Sequence, residues 1–142
     1  MLAVHETNEW PSIEKKEVLL LFDNWTRYKL NSTQEWAALY PGDGVVHLGT
    51  AHEPYTVAML HELRCLDMVR HALTLPRAAR DMALAARCMN YLRQALMCRG
   101  DTQLDPYQYT HAVRAVQTDV IRRCHDWRAV YDRVKEIQQG ER

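Results

Sequence analysis

Met59-Leu60-His61-Glu62-Leu63-Arg64-Cys65-Leu66-Asp67 and Arg87-Cys88-Met89-Asn90-Tyr91-Leu92-Arg93-Gln94 decide how this chain folds. Each stretch sets a basic residue directly before a Cys in a helical pattern. In the first, apolar residues recur at helical spacing from Thr56 to Leu73, through Met59, Leu63, Leu66 and Val69 or Arg70. In the second, Ala and Leu run from Ala78 to Met97 with no Gly or Pro between them. Gly100-Asp101 then supplies a helix stop. Pro76 stands between the two stretches and breaks the helix. The pattern predicts an antiparallel hairpin of residues 56 to 74 and 78 to 98 turning at Pro76. Cys65 and Cys88 lie about equally far from that turn, so they face each other across it.

Upstream, Glu17-Val18-Leu19-Leu20-Leu21-Phe22 and Trp25-Thr26-Arg27-Tyr28 are dense in β-branched and aromatic residues, which predicts strands turning at Asp23-Asn24. Thr33 to Leu39 reads as a short helix capped by Ser32 or Thr33. Pro41-Gly42-Asp43-Gly44 is a turn, and Val45 to Leu48 a short strand ended by Gly49. The helical half begins near Pro54. Downstream, Asp105 to Tyr109 reads as loop or extended chain, and a last helix runs from Asp126 to about Gln138. Residues 1–12 read as a loose arm. The expected fold is α+β: an antiparallel helical hairpin core, a small N-terminal β element and a C-terminal helix. Its length of 142 residues fits one domain, 1–142.

Lys plus Arg equal Asp plus Glu at 18 each. That balance argues against nucleic acid or an anionic membrane surface as partner, since both need a basic excess. An apolar fraction of 47% supports a real core. The longest apolar runs, such as Val18 to Phe22, fall far short of the roughly 20 residues of a membrane span. The first residues lack the basic and apolar regions of a signal peptide. The chain therefore reads as cytosolic, or as the soluble part of a secretory precursor whose N-terminal anchor is gone. Two sequons, Asn24-Trp25-Thr26 and Asn31-Ser32-Thr33, favour the second reading. So does the even count of four Cys, which allows two disulfides, such as Cys65 with Cys88 and Cys98 with Cys124. Four buried free thiols are the alternative.

Helical geometry puts His61, Arg64, Cys65 and Met68 on one face. On the next helix Arg87, Tyr91 and Gln94 share a face, with Cys88 and Leu84 beside it. A site between the helices would hold an imidazole, two guanidiniums, two sulfurs and a phenol. In that site Arg64 and Arg87 hold a carboxylate or polarise a carbonyl, and His61 moves a proton. Tyr91 serves as second acid or base, and Glu62, Met68 and Gln94 contact substrate. The plainer alternative has His61 at the surface, the arginines paired with Glu62, Asp67 or Asp81, and both Cys in the core. For a metal, His61 and Cys65 form a usable pair at i and i+4, with Cys88 facing them. His47, His52, His111 and His125 lie on other segments.

The pattern from Met59 to Asp67, followed by Cys88-Met89-Asn90-Tyr91-Leu92-Arg93-Gln94-Ala95-Leu96-Met97-Cys98-Arg99-Gly100-Asp101-Thr102, resembles the UstYa-like family of fungi. Glu35-Trp36-Ala37-Ala38-Leu39-Tyr40-Pro41-Gly42-Asp43-Gly44 and Cys124-His125-Asp126-Trp127 fit it too, and the likeness covers roughly residues 15 to 138. The resemblance implies a role in secondary-metabolite pathways, often on ribosomally made peptides. Members are associated with oxidative cyclisation, dehydrogenation, hydroxylation and copper-dependent halogenation, and many carry an N-terminal membrane anchor. Two His-x-x-His-Cys motifs are the family's presumed metal site. Here the first becomes His61, Arg64 and Cys65, and the second Leu84, Arg87 and Cys88. One of four expected His remains. Leu84 has no donor, and Arg does not deprotonate near neutral pH.

The resemblance therefore implies a ring-forming, cyclase-type tailoring enzyme that works by acid–base and Arg electrostatics, with no metal cofactor. A copper- or iron-dependent oxidase or oxygenase using His61 and Cys65 is the second expectation. A non-catalytic subunit of a metal-competent homologue is the third. The expected partner is a small-molecule or peptide natural-product intermediate, with a homo- or hetero-oligomer of homologues also expected.

Overall fold

Two helices fold back on each other at Pro76, as the sequence predicts. The computed structural model describes residues 10, 12–22, 26–107, 116 and 120–140. In chain order these form β1 (Glu17–Leu21), α1 (Thr33–Ala37), β2 (Val45–Leu48), β3 (Glu53–Thr56), α2 (Ala58–Thr74), α3 (Met82–Arg99), β4 (Ile121–His125) and α4 (Arg128–Gly140). Single 3-10 turns at Pro41–Gly44 and Arg77–Ala79 join them. The fold is α+β.

Hairpin boundaries follow from local chemistry. Pro76 is extended at φ −55°, ψ 146° and ends the first helix. The second helix starts at Met82 rather than Ala78, because the Asp81 carboxylate accepts the Leu84 N–H at 2.9 Å and caps it. Gly100 ends it at φ 53°, and its N–H donates to the Leu96 carbonyl at 3.0 Å.

The buried stripe of α2 differs from the one that apolar spacing predicts. Leu66 and Leu73 are exposed, while Leu60, Cys65, Asp67 and Arg70 are buried. Asp67 and Arg70 are buried because they satisfy one another. Arg70 Nε donates to Asp67 Oδ1 at 2.5 Å, and Arg70 Nη1 donates to the Leu30 carbonyl. The Tyr40 hydroxyl donates to Asp67 Oδ2 at 2.5 Å. Burial, then this hydrogen bond to Asp67, pushes the Tyr40 phenol up to about 12. An apolar-period reading skips charged residues, so it does not see this seam.

Strand pairing is also corrected. β1 does not form a local hairpin with residues 25–28. It pairs antiparallel with β4, Leu19 opposite Arg123, across most of the chain. Asp23, Asn24 and Trp25 lie outside the described residues, and residues 26–28 form no strand. β2 pairs with β3, a strand hidden in the sequence by Pro54, which sits opposite His47. The loose arm lies mostly outside the described residues. Its Trp10 packs against the core with Ile13. The second sequon's Asn31 is exposed. No helix among the described residues is long and apolar enough to cross a membrane.

The core gathers Val46 of β2, Leu60 of α2, and Val130 and Val134 of α4. Gly44 lets β2 approach α2. It sits at φ +72°, and a Cβ there would meet Leu60 Cβ at 2.8 Å. α4 then fastens the turn before β2. The Tyr131 hydroxyl donates to the Leu39 carbonyl at 2.5 Å, and Gln138 Nε2 donates to the carbonyls of Pro41 and Val45 at 3.1 and 2.9 Å.

Asp67→Ala strands a buried guanidinium and is expected to destabilise the fold by about 3–5 kcal/mol, read from the shift in urea midpoint. A loss below about 1 kcal/mol, in the range of an exposed ion pair, would show that the seam is solvated.

Candidate functional site

Antiparallel packing sets the first turns of α2 against the last turns of α3. Inward on α3 face Leu84, Ala85, Cys88, Tyr91, Leu92 and Ala95, each buried or half-buried. This stripe includes Tyr91 and leaves out two residues expected beside it. Arg87 and Gln94 are exposed, one helical step away from the contact. The sequence pairing of Arg87, Tyr91 and Gln94 on one face is geometrically sound, but the helix is rotated so that only Tyr91 reaches the seam.

His61 and Tyr91 meet there. Their ring centroids are 4.1 Å apart with planes tilted by 31°. The Tyr91 phenol is raised by burial first, then by the nearby Glu62 carboxylate and Cys65, with Arg99 opposing. Glu62, the next residue after His61, accepts a hydrogen bond from Arg99 Nη2 at 3.5 Å. A histidine, a phenol, a carboxylate and a guanidinium therefore share one end of the hairpin.

One turn further along, the sulfurs meet. Cys65 and Cys88 are both buried. Burial, then a hydrogen bond with Cys88, pushes the Cys65 thiol up to about 12, so it stays protonated through the neutral range. The Cys88 thiol points at Met68 Sδ at 3.7 Å. All four cysteines are free, with Cys98 exposed and Cys124 half-buried on β4. Arg64 leaves this line. Its Nη2 comes within 4.0 Å of Asp43 Oδ2 in the turn before β2. The structure thus joins His61, Glu62 and Tyr91, separately joins Cys65, Cys88 and Met68, and sets Arg64, Arg87 and Gln94 apart.

Two cavities flank the hairpin, and neither wall includes His61, Arg64 or Arg87. One, of about 290 Å³, lies near the Pro76 turn and is lined by Met68, Arg70, Asp81 and Leu84 among others. The larger, about 600 Å³, opens at the first turn of α2. β2, β3, the residues before β1, β4 with the start of α4, and Arg99 close it. Sequence reading missed this cavity because its wall comes from segments far apart. The one available signal was the aromatic content of Trp10-Pro11, Pro54-Tyr55 and Asp126-Trp127, which nothing local ties together.

The motif positions are poor in metal donors. Arg64, Leu84 and Arg87 carry no metal donor at neutral pH. His61 lies against the Tyr91 ring, and Cys65 is buried against Cys88. Among the described residues, no three His, Cys, Asp or Glu side chains gather as a metal would require. These residues do not fit a resident copper or iron.

The family model for the mycotoxin biosynthesis protein UstYa matches residues 6–136. The chain belongs to the UstYa family. Its similar proteins include the UstYa family oxidase phomYb of Diaporthe leptostromiformis, 30% identical over 94 residues, or 61% of this chain and 36% of that protein. The UstYa family oxidase phomYd of the same fungus is 27% identical over 127 residues, or 82% of this chain and 42% of that protein. The chain thus spans less than half the length of these UstYa relatives. No solved structure matches it.

Thiol alkylation with peptide mapping checks this geometry. At pH 8 Cys98 should be labelled first, since it is exposed, and Cys65 and Cys88 last, since both are buried from the reagent. The folded chain holds the Cys65 proton up to about 12 while the unfolded chain releases it earlier, so stability should fall as pH rises through this window. Labelling of Cys65 as fast as Cys98 would refute the buried thiol pair.

Proposed function

We propose that this UstYa-family chain is a tailoring enzyme of secondary-metabolite biosynthesis. Its chemistry is ring closure by proton transfer at the His61–Tyr91 end of the hairpin, with no metal held by the motif residues. One observation carries the reading. The surviving histidine of the paired motif is set against a half-buried phenol and beside a Glu62–Arg99 pair, while the other motif histidine positions hold Arg64, Leu84 and Arg87.

In this reading His61 takes the proton from the group that closes the ring. Tyr91, kept protonated by burial, donates to the oxygen that gains negative charge. Arg99 takes the carboxylate-holding role expected of Arg64 and Arg87, because it pairs with Glu62 at this end while Arg64 reaches toward Asp43 and Arg87 is exposed. Glu62 orients Arg99. The substrate is a natural-product intermediate.

A second reading has support of a different kind. Both curated relatives carry the name oxidase. An oxidase here would draw its remaining metal ligands from beyond the described residues or from a second chain, which also admits a non-catalytic subunit.

The test uses the intermediate that accumulates when this gene is deleted, supplied to the purified chain with and without oxygen. Turnover without oxygen is expected. His61→Ala should lower kcat by about 100-fold or more with less change in KM, and Tyr91→Phe should lower it by about tenfold or more. With the phenol raised, the alkaline fall in kcat should come above the ordinary tyrosine range and vanish in Tyr91→Phe. Turnover that requires oxygen would favour the oxidase. Turnover only with a second homologous chain would favour the subunit.

A further inference from the structure

The larger cavity is not used by the proton-transfer step, yet its wall has a definite chemistry. At about 600 Å³ it lies in the size range of small-molecule sites. Trp10, Tyr55 and Trp127 reach it from three separate segments, and aliphatic side chains of β2, α2 and α4 fill the rest of the wall. Among the described residues, the basic side chains on it are Lys15, Arg99 and His125, and no Asp or Glu lines it. Such a wall meets rings well. A neutral apolar ligand would cover Lys15 and the Arg99–Glu62 pair without adding a partner for either cation, which costs free energy. An anionic group on the ligand removes that cost and gains charge-assisted hydrogen bonds. Arg99 is suited to this, since its contact with Glu62 at 3.5 Å uses one of five N–H groups.

We propose that this cavity binds a carboxylate that carries aromatic rings, with the rings against Trp10, Tyr55 and Trp127 and the carboxylate between Lys15 and Arg99. Arg99 joins this cavity to the hairpin end through Glu62, the neighbour of His61. The acid end of the bound molecule therefore points toward the proton-transfer pair. Calling the molecule a substrate rests on the function proposed above; its binding does not. A non-peptide aromatic acid and an aromatic peptide C-terminus present the same chemistry.

Isothermal titration of the folded chain with four probes tests this: 2-naphthoic acid, 2-naphthamide, N-acetyl-Phe-Phe and its C-terminal amide. At least one acid should bind, at least about tenfold more tightly than its amide. Preference for naphthoic acid identifies a non-peptide acid, and preference for N-acetyl-Phe-Phe a peptide C-terminus. Lys15→Met should narrow the gap between acid and amide. Ala58→Trp, at an exposed position that lines the cavity, should take up part of its volume and weaken binding at least about tenfold with the circular dichroism unchanged. His61→Ala should bind as wild type does, so loss of the catalytic reading leaves this one standing. Equal affinity for acid and amide, affinity unchanged by Ala58→Trp, or no binding by any probe would overturn the proposal.

Discussion

A buried ion pair sets the frame of this molecule. Asp67 and Arg70 lie one turn apart on α2, both shielded from water. Burying two charges costs several kcal/mol each unless every donor and acceptor is met. Here the partners come from elsewhere in the chain: the Tyr40 hydroxyl and the Leu30 carbonyl. Satisfying the pair therefore fixes where the chain must pass before and after α1. It places the Pro41–Gly44 turn at the side of α2, where Gly44 alone allows contact with Leu60. β2 follows from that turn, α4 locks it through Tyr131 and Gln138, and the wall of the larger cavity is the result.

The same economy explains the fate of the paired motifs. A guanidinium cannot be left unpaired in a dry helix seam. Arg64 turns out toward Asp43, and Arg87 turns to solvent. What remains in the seam is two thiols and a thioether sulfur, then a histidine against a phenol. The two guanidiniums at motif positions thus lie outside the seam, and one end of the hairpin is polar. That end borders the cavity through Arg99, to which the sequence reading assigned no role.

Much of the fold was legible because its signals are local. Pro76, Asp81 and Gly100 fix the hairpin by backbone and cap chemistry, and Pro41-Gly42-Asp43-Gly44 fixes the turn. β4 and its pairing with β1 were not legible, since the partners lie about a hundred residues apart and no turn links them. β3 was masked by Pro54. At the site, Cys65 facing Cys88 and His61 near Tyr91 could be read from helical spacing. The rotation that exposes Arg87 and Gln94 could not, because it is set by which apolar residues of α3 pack inward. Helical spacing offered Arg70 as an alternative to Val69 on the inner stripe, but its partners were not legible, because Tyr40 and Leu30 reach Asp67 and Arg70 only in space.

The most direct measurement is the metal content of the purified chain, made in medium supplied with copper and iron and kept free of chelators. Proton-transfer chemistry at His61 and Tyr91 predicts copper and iron far below one per chain, because the motif offers too few donors to compete. About one tightly held copper or iron per chain, lost in His61→Ala, would contradict it and make the paired helices a metal centre after all.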